Sequence, residues 1–323
     1  MLSTPILLIT FNRPQHTRKV LERILEAEPH ELYIFQDGAR EGNHTDQTQC
    51  EAVRRVVEEL TTNYNRNHPL HLHTLYESQN LGCGPGPAKA ISWFFSENEM
   101  GIIIEDDAVP HLDFFPYCEE LLNRYKDDST VRAIGSMNID TQPWGDGSYY
   151  FSMMNRNLCA WATWRRAWSD FELYLRNVHW QTLDKTLKRY KCRFHEREYW
   201  LDRLKEVQKD AQGGKSWDMQ FFMSIWLHEG KGIIPNVNLC SNIGTVGEAT
   251  HKMEAGNIID NVPTCPILPL NHPSSSTIQY GADREFHRLY FEPHKLTLMS
   301  IITHINKRIK RIIGHEGPWI KKR

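Results

Sequence analysis

The chain has 323 residues with a formal net charge of −2; 40% of them are hydrophobic and 24% charged. That balance does not suggest a nucleic-acid binder, and the apolar fraction is enough for a real core, in about two domains or in one α/β domain with an appended segment. Seven cysteines, an odd number without a CxxC pair, favour neither a disulfide framework nor a zinc site and fit a reducing compartment.

The first residues lack the basic region and small-residue cleavage site of a signal peptide. No apolar run is long enough to span a bilayer. The expected location is therefore cytoplasmic. Residues 5–11 form a short continuous apolar run, as in a strand buried on both faces. Pro14 opens a helical stretch to residue 25, and residues 32–35 give a second strand ending at Gln36-Asp37-Gly38. Residues 46–63 read as an amphipathic helix and 70–76 as an alternating strand. The cluster Gly82-Cys83-Gly84-Pro85-Gly86-Pro87 breaks the chain before a helix through residue 95, without the Lys-Ser/Thr of a P-loop. Residues 101–104 are another buried strand, ending in Glu105-Asp106-Asp107. Residues 111–125 are helical and 131–134 a further strand.

Repeated strand–helix–strand units predict an α/β, Rossmann-like, mostly parallel sheet with helices on both faces. Ligands of such sheets sit outside the carboxyl ends of the strands. Three strand ends carry polar or acidic groups that could share one crevice: Thr10-Phe11-Asn12-Arg13, Gln36-Asp37-Gly38 and Glu105-Asp106-Asp107.

In the second half, residues 161–175 are rich in Trp and Arg. Residues 183–209 are a charged helical stretch, 216–228 an amphipathic helix, and 233–242 a return to the sheet edge. Residues 256–281 read as loop. A last helix starts at Lys295, with Ile301, Ile302, Ile305, Ile309 and Ile312 on one face and Lys307, Arg308, Lys310 and Arg311 on the other. It either packs its isoleucine stripe onto the domain or lies on an anionic membrane surface as a peripheral contact. The ten tryptophans serve core packing or stack on sugar faces. The domain division expected is 1–255 (1–135 and 136–255 as two halves), then 256–323 as a loop-rich segment with a basic amphipathic helix.

Three consecutive acids at the end of a buried strand raise one another's pKa unless a cation intervenes. A hard divalent ion with oxygen ligands and open positions for phosphate would relieve this. An acidic turn at a helix N-terminus, favoured by the macrodipole, is the plainer alternative. Arg13 can grip a phosphate bidentately or be an exposed residue before Pro14. Asp37 can accept from a base or ribose, or belong to an Asp-Gly turn. Asp218 is a helix N-terminal acid or a general base. His251 is a structural histidine or completes a metal shell.

Four stretches in order resemble GT-A-fold glycosyltransferases, in particular the branch around N-acetylglucosaminyltransferase I. They are residues 5–13, Tyr33-Ile34-Phe35-Gln36-Asp37-Gly38, residues 102–117 with Glu105-Asp106-Asp107 followed by Asp113-Phe114-Phe115, and Ala160-Trp161-Ala162-Thr163-Trp164 with Ser216-Trp217-Asp218. The last pair looks like the acceptor-side helix and the catalytic-base segment. The resemblance implies a GT-A fold with a C-terminal helical extension, and an inverting, metal-dependent transfer of a sugar such as GlcNAc or a related hexose. The donor would be a nucleotide-diphosphate sugar, a UDP-sugar by preference, and the acceptor a hydroxyl of a glycan or a lipid-linked molecule. It implies Mn²⁺ or Mg²⁺ on Asp107, donor contacts from Thr10, Phe11, Glu105 and Asp106, Arg13 on the diphosphate, Asp37 on the base and Asp218 as catalytic base. The segment from Asn242 to His251 is similar to a C-terminal His motif, which makes His251 a metal or diphosphate contact. Without the membrane anchor and stem of the Golgi enzymes, the chain looks more like a bacterial enzyme of surface-polysaccharide assembly. A sugar nucleotidyltransferase and a non-catalytic carbohydrate-binding protein are the alternatives. The first would carry a Gly-rich basic loop where this chain has Phe11-Asn12-Arg13-Pro14-Gln15.

Overall fold

The computed structural model of the protein describes residues 1–140, 142–154, 159–210, 216–244, 260–291 and 298–313. Its first half alternates as the apolar runs require: β1 (Ile6–Thr10), α1 (Pro14–Glu26), β2 (Glu31–Gln36), α2 (His44–Asn65), β3 (His71–Tyr76), α3 (Pro85–Glu97) and β4 (Met100–Glu105). There follow β5 (Ala108–Pro110), α4 (Phe114–Arg124), β6 (Val131–Gly135), β7 (Tyr149–Ser152), β8 (Ala160–Trp164), α5 (Arg165–Trp168), α6 (Trp180–Arg189), α7 (Phe194–Lys209), α8 (Asp218–Leu227), β9 (Lys231–Pro235) and β10 (Cys240–Asn242). After the irregular residues 260–279 come α9 (Tyr280–Phe286), a π-helical turn His287–Phe291, and α10 (Leu298–Ile312).

Among the described residues, eight strands form one sheet in the order β3-β2-β1-β4-β8-β6-β9-β7. β1 is parallel to both β2 and β4, pairing Ile6 with Leu32 on one side and with Ile102 on the other. β8 runs antiparallel to β4 and β6, and β7 antiparallel to β9. The remaining six strands share one direction, so the sheet is mostly parallel and covered by helices on both faces.

The continuous apolar runs follow from that cover. Ile6, Leu8, Ile102 and Ile104 face one core with Val20, Leu21 and Ile24 of α1 and Phe114, Phe115 and Leu121 of α4. Leu7, Ile9, Ile103 and Trp161 face the other with Phe94 of α3, Leu183 of α6, Trp200 of α7 and Phe221 of α8. In α1, Val20, Leu21 and Ile24 at helical spacing are fully buried, and Pro14 stands in the first turn, where its missing N–H costs nothing. Six tryptophans, at 161, 164, 168, 200, 217 and 226, are buried. Core packing is their use.

Four sequence expectations change. Residues 160–164, expected as a helix by resemblance, are the strand β8, whose Trp161 pairs with Ile103 in mid-sheet. The stretch 183–209 is two helices, α6 and α7, broken where Lys191 adopts φ 59°. Residues 233–242 do not return to the edge: β9 lies between β6 and β7, and β10 pairs with β5 in a separate two-stranded ribbon.

The fourth change is α10. Its polar face, not its isoleucine stripe, packs on the domain. Lys307 Nζ donates to Asp202 at 2.6 Å, Arg308 Nε to Glu198 at 2.6 Å and Arg308 Nη2 to Asp184 at 2.7 Å, while Arg311 pairs with Glu198 and Asp202. Glu198 is fully buried, so its charge needs these partners. The sequence pattern cannot show this, because the acids that decide it lie on α6 and α7. Among the described residues no helix is long and apolar enough to cross a membrane.

Candidate active site

Strand order turns at β1: β2 and β3 lie on one side of it and β4 on the other. Crevices of α/β sheets form at such a switch point, beyond the carboxyl ends. Arg13, immediately before α1, and Glu105-Asp106-Asp107, at the end of β4, meet there.

Arg13 Nη2 is ion-paired to Asp106 and lies 3.2 Å from Asp107 Oδ2. Burial alone would lower the guanidinium pKa, but the two carboxylates outweigh it and raise it further. Asp106 is only 3% exposed; burial pushes its carboxyl up, and Arg13 opposes that. Glu105 is pushed well above the usual carboxylate range by burial and by the charges of Asp107, Asp106 and Asp218. One arginine therefore does not neutralise the cluster. Among the described residues, Asp106 Oδ2 and Asp107 Oδ1 are buried with no hydrogen-bond partner.

Glu105, Asp107 and Cys159 each offer one ligand atom, and the three atoms lie within 4.8 Å of one another. Two carboxylates with partnerless buried oxygens beside them suit a hard divalent cation. Cys159 is softer, and its sulfur already accepts from Asn242 Nδ2 at 3.3 Å. The cluster fits Mg²⁺ or Mn²⁺ through its oxygens.

The β5–β10 ribbon closes the site from behind. Asn242 pairs with Ala108, Ile243 N donates to the Asp107 carbonyl at 2.8 Å, and Gly244 N donates to Asn242 Oδ1 at 2.8 Å. A Cβ on Gly244 would overlap the Asp107 carboxylate, so only glycine permits this approach. His251, further along, lies outside the described residues.

The other expected residues are placed differently. Thr10 Oγ1 donates to the Phe35 carbonyl at 2.9 Å, so its side chain is committed to the sheet. The Phe11 ring lies 5.7 Å below the Arg40 guanidinium. Asp37 is 8% exposed and accepts four hydrogen bonds: from Gly38 N at 2.9 Å, Leu81 N at 2.8 Å, Gly82 N at 3.0 Å and Asn80 Nδ2 at 2.9 Å. Its four acceptor positions are filled, leaving none for the base it was expected to contact. It holds the 80–82 turn against the end of β2 instead. Gly38 allows that closeness, because a Cβ there would run into the Gln79 backbone. Burial pushes the Cys83 thiol up, and the charges of Glu105 and Asp37 add to it. The Gly-Pro turn thus lies among the strand ends.

Asp218 opens α8 and accepts a hydrogen bond from Ser216 Oγ. Its neighbour Trp217 stacks on Trp161 of β8 with 5.6 Å between ring centroids. The charge of Asp218 bears on Glu105 and on Tyr290.

Some participants had no sequence signal. Cys159 arrives through the antiparallel return of β8, beside Asn242 on the β10 ribbon. Asp46 accepts from Asn12 Nδ2 at 2.8 Å and Arg40 Nε at 2.5 Å, tying the loop after β1 to the start of α2. Asn43 Oδ1 accepts from Asp46 N at 3.0 Å and so caps the start of α2.

No protein-family model and no curated protein matches the chain. Similar solved structures include apo UDP-glucose pyrophosphorylase, at 9% identity and a TM-score of 0.38, covering 75% of this chain and 93% of that one. The same enzyme complexed with UDP-glucose aligns at 8% identity and 0.37, over 73% and 91%. 4-Diphosphocytidyl-2C-methyl-D-erythritol synthase from Anaerococcus prevotii aligns at 8% identity and 0.32, over 52% and 74%. At these identities and scores none of the likenesses bears on what this chain does.

Proposed function

We propose that the chain is a divalent-cation-dependent transferase acting on a nucleotide-diphosphate sugar, and that it passes the sugar to a hydroxyl of a glycan or lipid-linked acceptor. The observation that carries this is the pair of buried, partnerless oxygens on Asp106 and Asp107 at the switch point, beside Arg13. A bound Mg²⁺ or Mn²⁺ would supply charge stabilisation for a departing diphosphate. Arg13 would grip the same phosphates through Nε and Nη1, since only its Nη2 is paired with Asp106 and Asp107. Residues 1–135 supply this donor side. From residues 136–255 come the acceptor side and Asp218, which removes the acceptor proton as general base in an inverting displacement. Donor contacts by Glu105 and Asp106 and a UDP-type base belong to the same reading, with Asp37 acting on the base only through the 80–82 turn.

The test is calorimetry of Mn²⁺ with UDP, followed by metal-dependent hydrolysis of a panel of UDP- and GDP-sugars. Asp107→Ala should lose cation-dependent heat and about 10²-fold or more in turnover. Turnover equal to wild type would remove the foundation. Nucleotidyl transfer uses the same acids and cation and is the second reading. Pyrophosphate release from a sugar 1-phosphate with a nucleoside triphosphate would favour it. Against it stands the passage from Thr10 at the end of β1 to Pro14 at the start of α1, which leaves no glycine-rich basic loop.

A further inference from the structure

We infer that the isoleucine face of α10 docks into the interfacial layer of a membrane carrying anionic lipids. The inference is independent of the transfer reading. Ile301, Ile302, Ile305, Ile309, Ile312 and Ile313 lie on one side of the helix and are 40–66% exposed. Along the border of that stripe and away from it, Arg308 and Arg311 are held by Asp184, Glu198 and Asp202. Those ion pairs fix the helix with its apolar face outward. A helix latched by its charges and bare along its isoleucines is oriented to lie flat with that face in lipid.

Charge selects the occupant. From Lys295 onward the sequence holds eight Lys and Arg residues against the single acid Glu316, in a chain whose net charge is −2; Lys307, Arg308 and Arg311 are engaged by Asp184, Glu198 and Asp202, and the other five are not part of that latch. The stripe is flanked by exposed Lys310, and α10 contains no acid. The final residues in sequence add Trp319 and the run Lys321-Lys322-Arg323, a composition suited to the headgroup layer. A second copy is the poorer occupant. Stripe against stripe would bring like charges together with no carboxylate on either helix to answer them. Anionic headgroups answer them directly.

The experiment is sedimentation of the full chain with vesicles of phosphatidylcholine and phosphatidylglycerol, and with phosphatidylcholine alone. Wild type should sediment with the mixed vesicles and much less with the neutral ones. Ile305→Ser with Ile309→Ser should lower partitioning at least about tenfold, with unchanged far-UV circular dichroism, because both side chains are about half exposed. Ile312→Ser with Ile313→Ser should act in the same direction. The proposal fails if wild type ignores anionic vesicles, binds neutral ones equally, or is matched by both double variants. It fails in favour of a second copy if wild type is a dimer that the double variants dissociate.

Discussion

Arg13 is ion-paired to Asp106 across the switch point, so the residue that caps α1 is also the built-in counter-charge of the acids that end β4. Three adjacent acids at a strand end need a cation, and the protein itself supplies part of one, through a single guanidinium nitrogen that reaches Asp106 and Asp107. The remaining demand is local: it lies on Asp107 Oδ1 and Asp106 Oδ2, which face no donor among the described residues.

Removing Arg13 should therefore cost stability as well as donor affinity. Arg13→Met would leave Asp106, 3% exposed, without its counter-charge. Breaking a buried pair from one side costs about 3–5 kcal/mol; Arg13 is itself partly exposed, so a loss near about 3 kcal/mol is expected in urea unfolding. Added Mn²⁺ should restore part of it, since a second cation answers the same carboxylates. A variant as stable as wild type without metal would show that the pair carries no weight.

Gly244→Ala tests whether the β5–β10 ribbon sets the geometry of Asp107. The added methyl would occupy the place of the Asp107 carboxylate, which must rotate away, or the turn after β10 must shift. Cation affinity should fall by about 10–100-fold, as for other changes to groups that orient a ligand. The unfolding free energy should move by no more than about 1 kcal/mol. Manganese titration by calorimetry reads the first and urea unfolding the second. Unaltered manganese affinity would mean that Asp107 does not hold the ion in this rotamer.

The fold was legible wherever both faces of a strand are covered, because burial forces continuous apolar runs such as Ile6–Thr10 and Met100–Glu105. Residues 160–164 were not, because β8 is a short apolar segment with two tryptophans, and such a segment does not distinguish strand from helix by period. At the site, acids announced themselves by adjacency in sequence. Partners that meet by long-range pairing did not: Cys159 reaches Glu105 only because β8 runs back along β4. Asp37 shows the converse limit. Its position at a strand end was readable, but the four donors that fill its carboxylate come from its own turn and from residues 80–82, across β3.

The latch of α10 should open in acid. Burial alone would raise the Asp184 carboxyl, but hydrogen bonds from Arg308, Arg197 and Lys188 outweigh it and bring it to about 2, below the ordinary 3.8. The folded value lies below the unfolded one. The stabilisation is therefore fully present above about pH 4 and is lost as pH falls toward 2. The protection of α10 amides against hydrogen exchange, relative to the intrinsic rate at each pH, should fall through that window. Asp184→Asn should exchange faster at neutral pH and show a flatter acid profile. An α10 whose protection is constant from pH 5 to 2 would mean that Asp184 does not hold it.

Asp218→Asn separates chemistry from binding. Asparagine keeps an oxygen where Ser216 Oγ donates, so the local hydrogen bond and the start of α8 survive. It cannot accept a proton at neutral pH. If Asp218 is the general base, turnover should fall by about 10²–10⁴-fold while the donor KM holds, because removal of a base acts on the reacting hydroxyl alone. Asp218 is not one of the grouped ligand atoms of Glu105, Asp107 and Cys159, so manganese binding should change little and serves as the control. The opposite split, with donor affinity lost and turnover kept, would move Asp218 from the reacting hydroxyl to the donor and leave the base elsewhere on the acceptor side.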